Sequence, residues 1–257
     1  MDCVKFFLDE GVDVFARVGI EELPDADRES VLRFLPAARS VIVFGREVPA
    51  AVYRMPPNEE TREMLRIAGS LDDTALRLAG LLGAEGIAAR PVPLYLPVRV
   101  VDGRVQGVVR LKQVAAAAGL GEIGTSTLLL NRRFGPRLLL SGVVTGPGAP
   151  EFGRKDGAGG NGAPLCTGCR ACIRACPEGA LGPEGVDAFR CRTVRAWVPP
   201  PVVPAVKWLL RRRLLLGVLA PLAPLVARTA TIRCSLCVTG CPALPGAAEE
   251  SYPRKFS

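Results

Sequence analysis

Eight of the nine cysteines in this 257-residue chain lie between Cys166 and Cys241, and their spacing is that of ligands to iron-sulfur clusters. In "CTGCRACIRACP", Cys166, Cys169, Cys172 and Cys176 follow the pattern C-x2-C-x2-C-x3-C-P. After an isolated Cys191, "CSLCVTGCP" supplies Cys234, Cys237 and Cys241 as C-x2-C-x3-C-P. Thiolates are soft ligands suited to iron-sulfur cubanes, and close spacing lets one loop hold three irons while a distant cysteine closes the fourth corner. In such runs the fourth cysteine serves the other cluster. The expected sets are therefore Cys166, Cys169, Cys172 and Cys241 for one [4Fe-4S] cluster and Cys176, Cys191, Cys234 and Cys237 for a second. The prolines after Cys176 and Cys241 turn the chain away and remove an N–H that would need a partner.

Structural zinc is the competing use of paired C-x2-C motifs. A single ribbon would leave cysteines over, and a triple spacing ending in C-P is not a ribbon pattern. Cys3 has no neighbouring cysteine and reads as an ordinary half-buried side chain. The chain contains no histidine, which excludes imidazole ligation and histidine acid-base catalysis.

The elements that must carry these ligands are mixed α/β. "SVIVFG", from Ser40 to Gly45, is an apolar β-branched run that predicts a buried strand. A long helix is expected from an N-cap at Asn58, with Met64, Leu65, Ile67, Ala68, Leu71, Ala75, Leu78, Ala79 and Leu82 near helical spacing and Gly83 or Gly86 at its end. Asp102-Gly103 between alternating apolar positions predicts a tight hairpin. "RLKQVAAAAGL" predicts a helix closed by Gly119, "TSTLLLN" a second helix entered at Thr125 or Ser126, and "PRLLLSGVVT" a strand. A Gly/Pro-rich stretch from Gly146 to Pro164 marks a boundary. The expected organisation is an α/β domain over residues 1–150, a linker over 151–164 and a cluster domain over 165–257.

Gly119, Gly121 and Gly124 spell G-x-G-x-x-G, the outline of a dinucleotide fingerprint. That fingerprint needs a strand before it and an acidic residue about 20 positions on. Here an alanine-rich, helix-like segment precedes it, and no Asp or Glu occurs between Glu122 and Glu151. The glycines read instead as a helix corner, either a plain cap or a bare backbone that admits a flat cofactor.

"AGLGEIGTSTLL", "FGPRLLLSGVVT" and the eight-cysteine pattern together resemble the epoxyqueuosine reductase and corrinoid reductive dehalogenase superfamily, over about Ser40 to Pro242. The resemblance implies a nitroreductase-like α/β domain that holds cobalamin and a C-terminal ferredoxin-like domain with two [4Fe-4S] clusters. It places the corrin against Gly119, Leu120, Gly121, Glu122, Ile123, Gly124, Thr125 and Ser126. The epoxyqueuosine reductases carry a proton-donating aspartate ahead of the glycine motif, and only Asp102 stands between Arg90 and Gln113, at the expected hairpin turn. Tyr95, in "PLYLP", matches the dehalogenases' tyrosine donor in type and is equally a packed aromatic between prolines. The helical repeats with which many epoxyqueuosine reductases grip tRNA are not in this sequence, so the substrate is not carried over.

Charge is concentrated in one place. The insertion at 192–233 holds Arg192, Arg195, Lys207, Arg211, Arg212, Arg213, Arg228 and Arg233 with no acidic residue, which equals the whole formal net charge of +8. It is also apolar, with Trp197 and Trp208, but Arg211 to Arg213, Pro221 and Pro224 interrupt any spanning helix. Such a segment suits a lid over the clusters, an anionic membrane surface, an acidic low-potential electron donor such as flavodoxin or ferredoxin, or nucleic acid, tRNA included. The amino terminus lacks the basic start and unbroken apolar core of a signal peptide, so a cytoplasmic protein, peripheral at the membrane if the insertion docks there, is expected. The functional expectation is an iron-sulfur oxidoreductase that passes electrons through two clusters to cobalamin for reductive removal of a leaving group. A non-catalytic electron carrier or assembly protein is the alternative.

Overall fold

The computed structural model describes residues 1–93, 98–101, 104–155, 164–182, 185–196, 198–210, 231–232 and 234–243. Its centre is a four-stranded antiparallel sheet in the order β1-β2-β8-β3, formed by β1 (Val14–Gly19), β2 (Ser40–Glu47), β8 (Leu138–Thr145) and β3 (Ala89–Pro91). The expected strands at Ser40 and after Pro136 are thus the two central ones. Their unbroken apolar sequences have a physical cause, because both faces of the sheet are covered. Val41 and Val43 point into one core with Val14, Ala16, Val18 and Val144, while Ile42 and Phe44 point into the other with Phe15 and Val143.

The second core is roofed by α1 (Cys3–Asp9) and by α3 (Pro57–Ala84). Ile67, Leu71, Ala75, Leu78 and Leu82 of α3 recur at intervals of three and four and are buried. The helix begins one residue ahead of the expected cap. Pro56 is the N-cap and Pro57 the first helical residue, where a missing N–H costs nothing, so Asn58 lies inside the first turn. Gly83 stays helical, and the stop falls to Gly86, whose φ of +79° suits glycine. Cys3 is buried in this core, as part of α1.

The first core lies under α2 (Asp25–Phe34) and α4 (Leu111–Ala117). Buried Asp27 of α2 accepts a 2.6 Å bond from Arg110 Nε, which fixes the start of α4. Before α4, β4 (Val98–Val101) and β5 (Arg104–Gly107) pair antiparallel with Val101 opposite Arg104, as the hairpin reading required. Asp102 and Tyr95 lie outside the described residues.

The first part of the expected linker is seated on the sheet domain. Phe152 joins a ring cluster with Phe7 and Phe15, each with centroids 6.0 Å away. Lys155 and Phe15 exchange two backbone hydrogen bonds of 2.9 Å. Residues 156–163 lie outside the described residues.

The cysteine region consists of short elements: α5 (Ala171–Ala175), β9 (Leu181–Gly182) paired with β10 (Gly185–Val186), α6 (Arg192–Arg195), α7 (Val203–Leu210) and α8 (Leu236–Thr239). Of the basic apolar insertion, α6 and α7 are described, while Trp197, Arg211, Arg212, Arg213, Arg228 and Arg233 are not. Lys207 Nζ stands 5.1 Å from the centre of the Phe189 ring, and Trp208 is 56% exposed. Among the described residues no helix is long and apolar enough to cross a membrane.

Candidate metal centres and the glycine hairpin

All eight clustered cysteines are described, and they fall into two groups. Cys172 and Cys241 each feel the charges of Cys166 and Cys169, and Cys241 also feels Cys172. Cys234 and Cys237 feel Cys176 and Cys191. The grouping sets Cys241 of the second run with the first and Cys176 of the first run with the second. It arises because α5 and α8 pack together, with Gly240 at the end of α8 so close to Ala175 that a Cβ there would stand 3.3 Å from the alanine methyl.

Cys166, Cys169, Cys172 and Cys241 line one cavity, open to solvent, together with Gly124, Thr125 and Ser126. Among the described residues no three His, Cys, Asp or Glu side chains are placed to hold a single metal ion. A cubane asks for a different arrangement, one thiolate on each of four irons around a shared space. The first group's cavity has that character. Its donors are all thiols, and the protein already supplies hydrogen bonds to sulfur: Thr125 N lies 3.4 Å and Thr125 Oγ1 3.4 Å from Cys166 Sγ. In the second group Ala180 N donates to Cys176 Sγ at 3.3 Å. These donor sets fit two clusters.

Electrostatics separate the thiols. Hydrogen bonding from the Thr125 hydroxyl, then from backbone N–H groups, holds Cys166 below the ordinary thiol range. Burial pushes Cys172, Cys234 and Cys241 up, and Cys237, beside Cys234 as well, up to about 11. Metal binding to Cys237 must therefore displace a proton at neutral pH.

The glycine motif is a helix end followed by a β-hairpin. Gly119 closes α4 at φ +75°, with Leu120 N bonded to Ala115 O at 2.9 Å. The chain then forms β6 (Glu122–Ile123) and β7 (Leu129–Leu130), paired Glu122 to Leu130 and Ile123 to Leu129. The expected helix over "TSTLLLN" is absent; residues 125–128 are the turn. Thr127 takes the left-handed φ of 61° and donates to Gly124 O at 2.8 Å, while Leu129 and Leu130 are both buried, a demand that pairing with β6 satisfies. Buried Asn131 ties the hairpin base, its Nδ2 donating to Leu120 O at 2.8 Å and its Oδ1 accepting from Arg133 N and Phe134 N. Lys112 Nζ donates to Thr127 O at 2.7 Å.

The bare faces of the three glycines are covered by protein. A Cβ on Gly119 would strike the Arg154 guanidinium, one on Gly121 the Leu130 carbonyl, and one on Gly124 the Leu130 side chain. Leu120 and Ile123 are committed to the first core, and Ser126 is buried at the cavity wall. Glu122 accepts the backbone N–H of Cys166. Of the eight residues expected at a corrin, Gly119, Leu120, Gly121, Glu122 and Ile123 serve packing and the Cys166 loop, while Gly124, Thr125 and Ser126 line the open cavity. Glu122 and Asn131 act here in ways the sequence did not announce, through bonds spanning 44 and 11 positions.

No family model matches the chain. Over 185 residues, 71% of its length, it is 30% identical to the tetrachloroethene reductive dehalogenase of Desulfitobacterium hafniense, and the match covers 30% of that protein. Over 81 residues, 31% of the chain, it is 37% identical to the epoxyqueuosine reductase of Pseudomonas aeruginosa, covering 21% of it. Each match spans less than a third of the curated relative. Among solved structures, an epoxyqueuosine reductase determined with an epoxyqueuosine-modified tRNA stem loop superposes with a TM-score of 0.57 over 95% of this chain and 64% of its own, at 17% identity. The epoxyqueuosine reductase of Streptococcus thermophilus gives 0.56 over 99% and 67%, at 16% identity. The resemblance read from the motifs is borne out: this chain has the α+β fold of the epoxyqueuosine reductases and sequence similarity to them and to the tetrachloroethene reductive dehalogenases.

Proposed function

We propose that the chain is an iron-sulfur oxidoreductase carrying two [4Fe-4S] clusters, one on Cys166, Cys169, Cys172 and Cys241 and one on Cys176, Cys191, Cys234 and Cys237. The observation that carries this reading is the convergence of Cys166, Cys169 and Cys172 of the first run with Cys241 of the second on one cavity. Clusters of this kind, when bound, pass single electrons at low potential. The chain's own residues prepare for them. Thr125 and Ala180 donate to ligand sulfurs, and Arg174 Nη1 holds the Cys169 carbonyl at 2.8 Å. The similarity to named reductases makes reductive removal of a leaving group the reaction class, with a low-potential flavodoxin or ferredoxin as electron source. Cytoplasmic placement belongs to the same reading. The tRNA stem loop bound by one structural neighbour makes RNA a substrate class to test.

Cobalamin is the acceptor that the resemblance implies, yet a Cβ at Gly119 or Gly121 would meet Arg154 or the Leu130 carbonyl, so protein already lies against two of the three glycines assigned to it. That observation favours a second reading, in which this chain carries electrons to another protein. Anaerobic titration with cobalamin, followed by its absorbance on gel filtration, separates the two. Stoichiometric retention supports a reductase complete in its cofactors, and free elution supports the carrier.

The cluster assignment has its own test. Reconstituted protein should hold about eight irons and eight sulfides. Cys191→Ala and Cys169→Ala should each lower iron to about half and leave one cluster's EPR signal intact, a different one in each variant. Full iron in either variant refutes the ligand sets.

A further inference from the structure

The hairpin β6–β7 meets the first candidate cluster site at Cys166, and it does so with two opposite kinds of group. Thr125 brings its N–H and its hydroxyl to 3.4 Å from Cys166 Sγ. A ligating sulfur carries no proton, so the hydroxyl must be the donor there. Glu122, three residues earlier on the same hairpin, places its carboxylate on the backbone N–H of Cys166. The hairpin is held rigidly: Asn131 ties its base, Lys112 ties its turn at Thr127, and Gly121 and Gly124 pack against Leu130. A rigid mount matters because an electrostatic effect on sulfur depends on fixed distance.

From this geometry we propose that the glycine hairpin sets the reduction potential of the cluster on Cys166, with Thr125 raising it and Glu122 lowering it. The inference rests on the two-cluster reading above. Reduction adds an electron to an already anionic cluster, and the charge spreads onto the ligand sulfurs. Donors to those sulfurs stabilise the reduced form, whereas a nearby carboxylate penalises it. Thr125 and Glu122 act through Cys166 and touch no substrate, so they are positioning residues. On this view the backbone freedom of G-x-G-x-x-G serves to bring a polar hairpin against a cluster ligand.

The test is an EPR-monitored redox titration of the reconstituted full chain, with iron and sulfide measured on each sample. Thr125→Val removes the hydroxyl and keeps the N–H; it should lower one of two midpoint potentials by roughly a tenfold bias in the reduction equilibrium, about 59 mV for a one-electron couple. Thr125→Ser should restore the original value. Glu122→Gln keeps an acceptor for the Cys166 N–H and removes the charge, and it should raise the same midpoint while the second cluster stays unmoved. Eight irons with unchanged potentials, or shifts of equal sign in both variants, overturn the inference alone. Absence of clusters from the wild-type chain overturns the functional reading together with it.

Discussion

At the scale of single residues, glycine at 121 is required by contact. Its bare face meets the carbonyl of Leu130 across the hairpin, where any Cβ would overlap backbone. Gly121→Ala should therefore push β6 from β7 at a cost of about 1–3 kcal/mol, the range of overpacked interiors. Because Glu122 holds the Cys166 loop from the same strand, iron should be lost as well. The check is a thermal melt alongside iron analysis, and a variant that keeps both its melting point and its iron would show that the hairpin tolerates the intrusion.

At the scale of elements, α4 is seated by its buried Val114 and Ala115 and by an ion pair at its start. Asp27 is 2% exposed and its bond to Arg110 Nε spans α2 and the residue before α4. Removing one partner of a fully buried pair costs about 3–5 kcal/mol. The Arg110 side chain is 32% exposed, so water recovers part of that. Arg110→Ala should destabilise the protein by about 2 kcal/mol in urea unfolding, and Asp27→Ala with Arg110→Ala by less than Arg110→Ala alone. The strand signals of β2 and β8 and the periodicity of α3 were legible because burial on a sheet or helix face writes itself into local spacing. The end of α4 at Gly119 was legible for a similar reason, since a left-handed cap demands glycine. The segment from Thr125 to Asn131 was not: its leucines satisfy a helical pattern as well as a strand, and the pairing with Glu122 and Ile123 decided between them.

At the scale of the whole molecule, the last cysteines are seated on the start of α3. Ile232 N donates to Thr61 Oγ1 at 2.7 Å, Thr231 Oγ1 lies 3.4 Å from Asn58 Oδ1, and Ser235 donates to buried Glu60. The segment so anchored leads into Cys234, Cys237 and Cys241, which serve both groups of thiols. Thr61→Val removes the acceptor of the Ile232 N–H at a cost of about 1–3 kcal/mol if no other partner replaces it. Iron should then leave both clusters faster on exposure to a chelator, measured by the decay of their visible absorbance. Loss from one cluster only would mean that the two groups are anchored separately.

The sequence by itself determined the inventory: eight thiols, seven in two runs and Cys191 between them, the absence of histidine, a buried strand and a glycine that must end a helix. Those are consequences of side-chain chemistry and of spacing along the chain. Tertiary structure alone decided what the glycine motif touches. The contacts of Thr125 and Glu122 with Cys166 join positions 41 and 44 residues apart, and the seat of Ser235 on Glu60 spans 175. No local pattern encodes such pairs, because each side chain is also compatible with solvent, and only the packing of α5, α8 and the sheet domain brings them within reach.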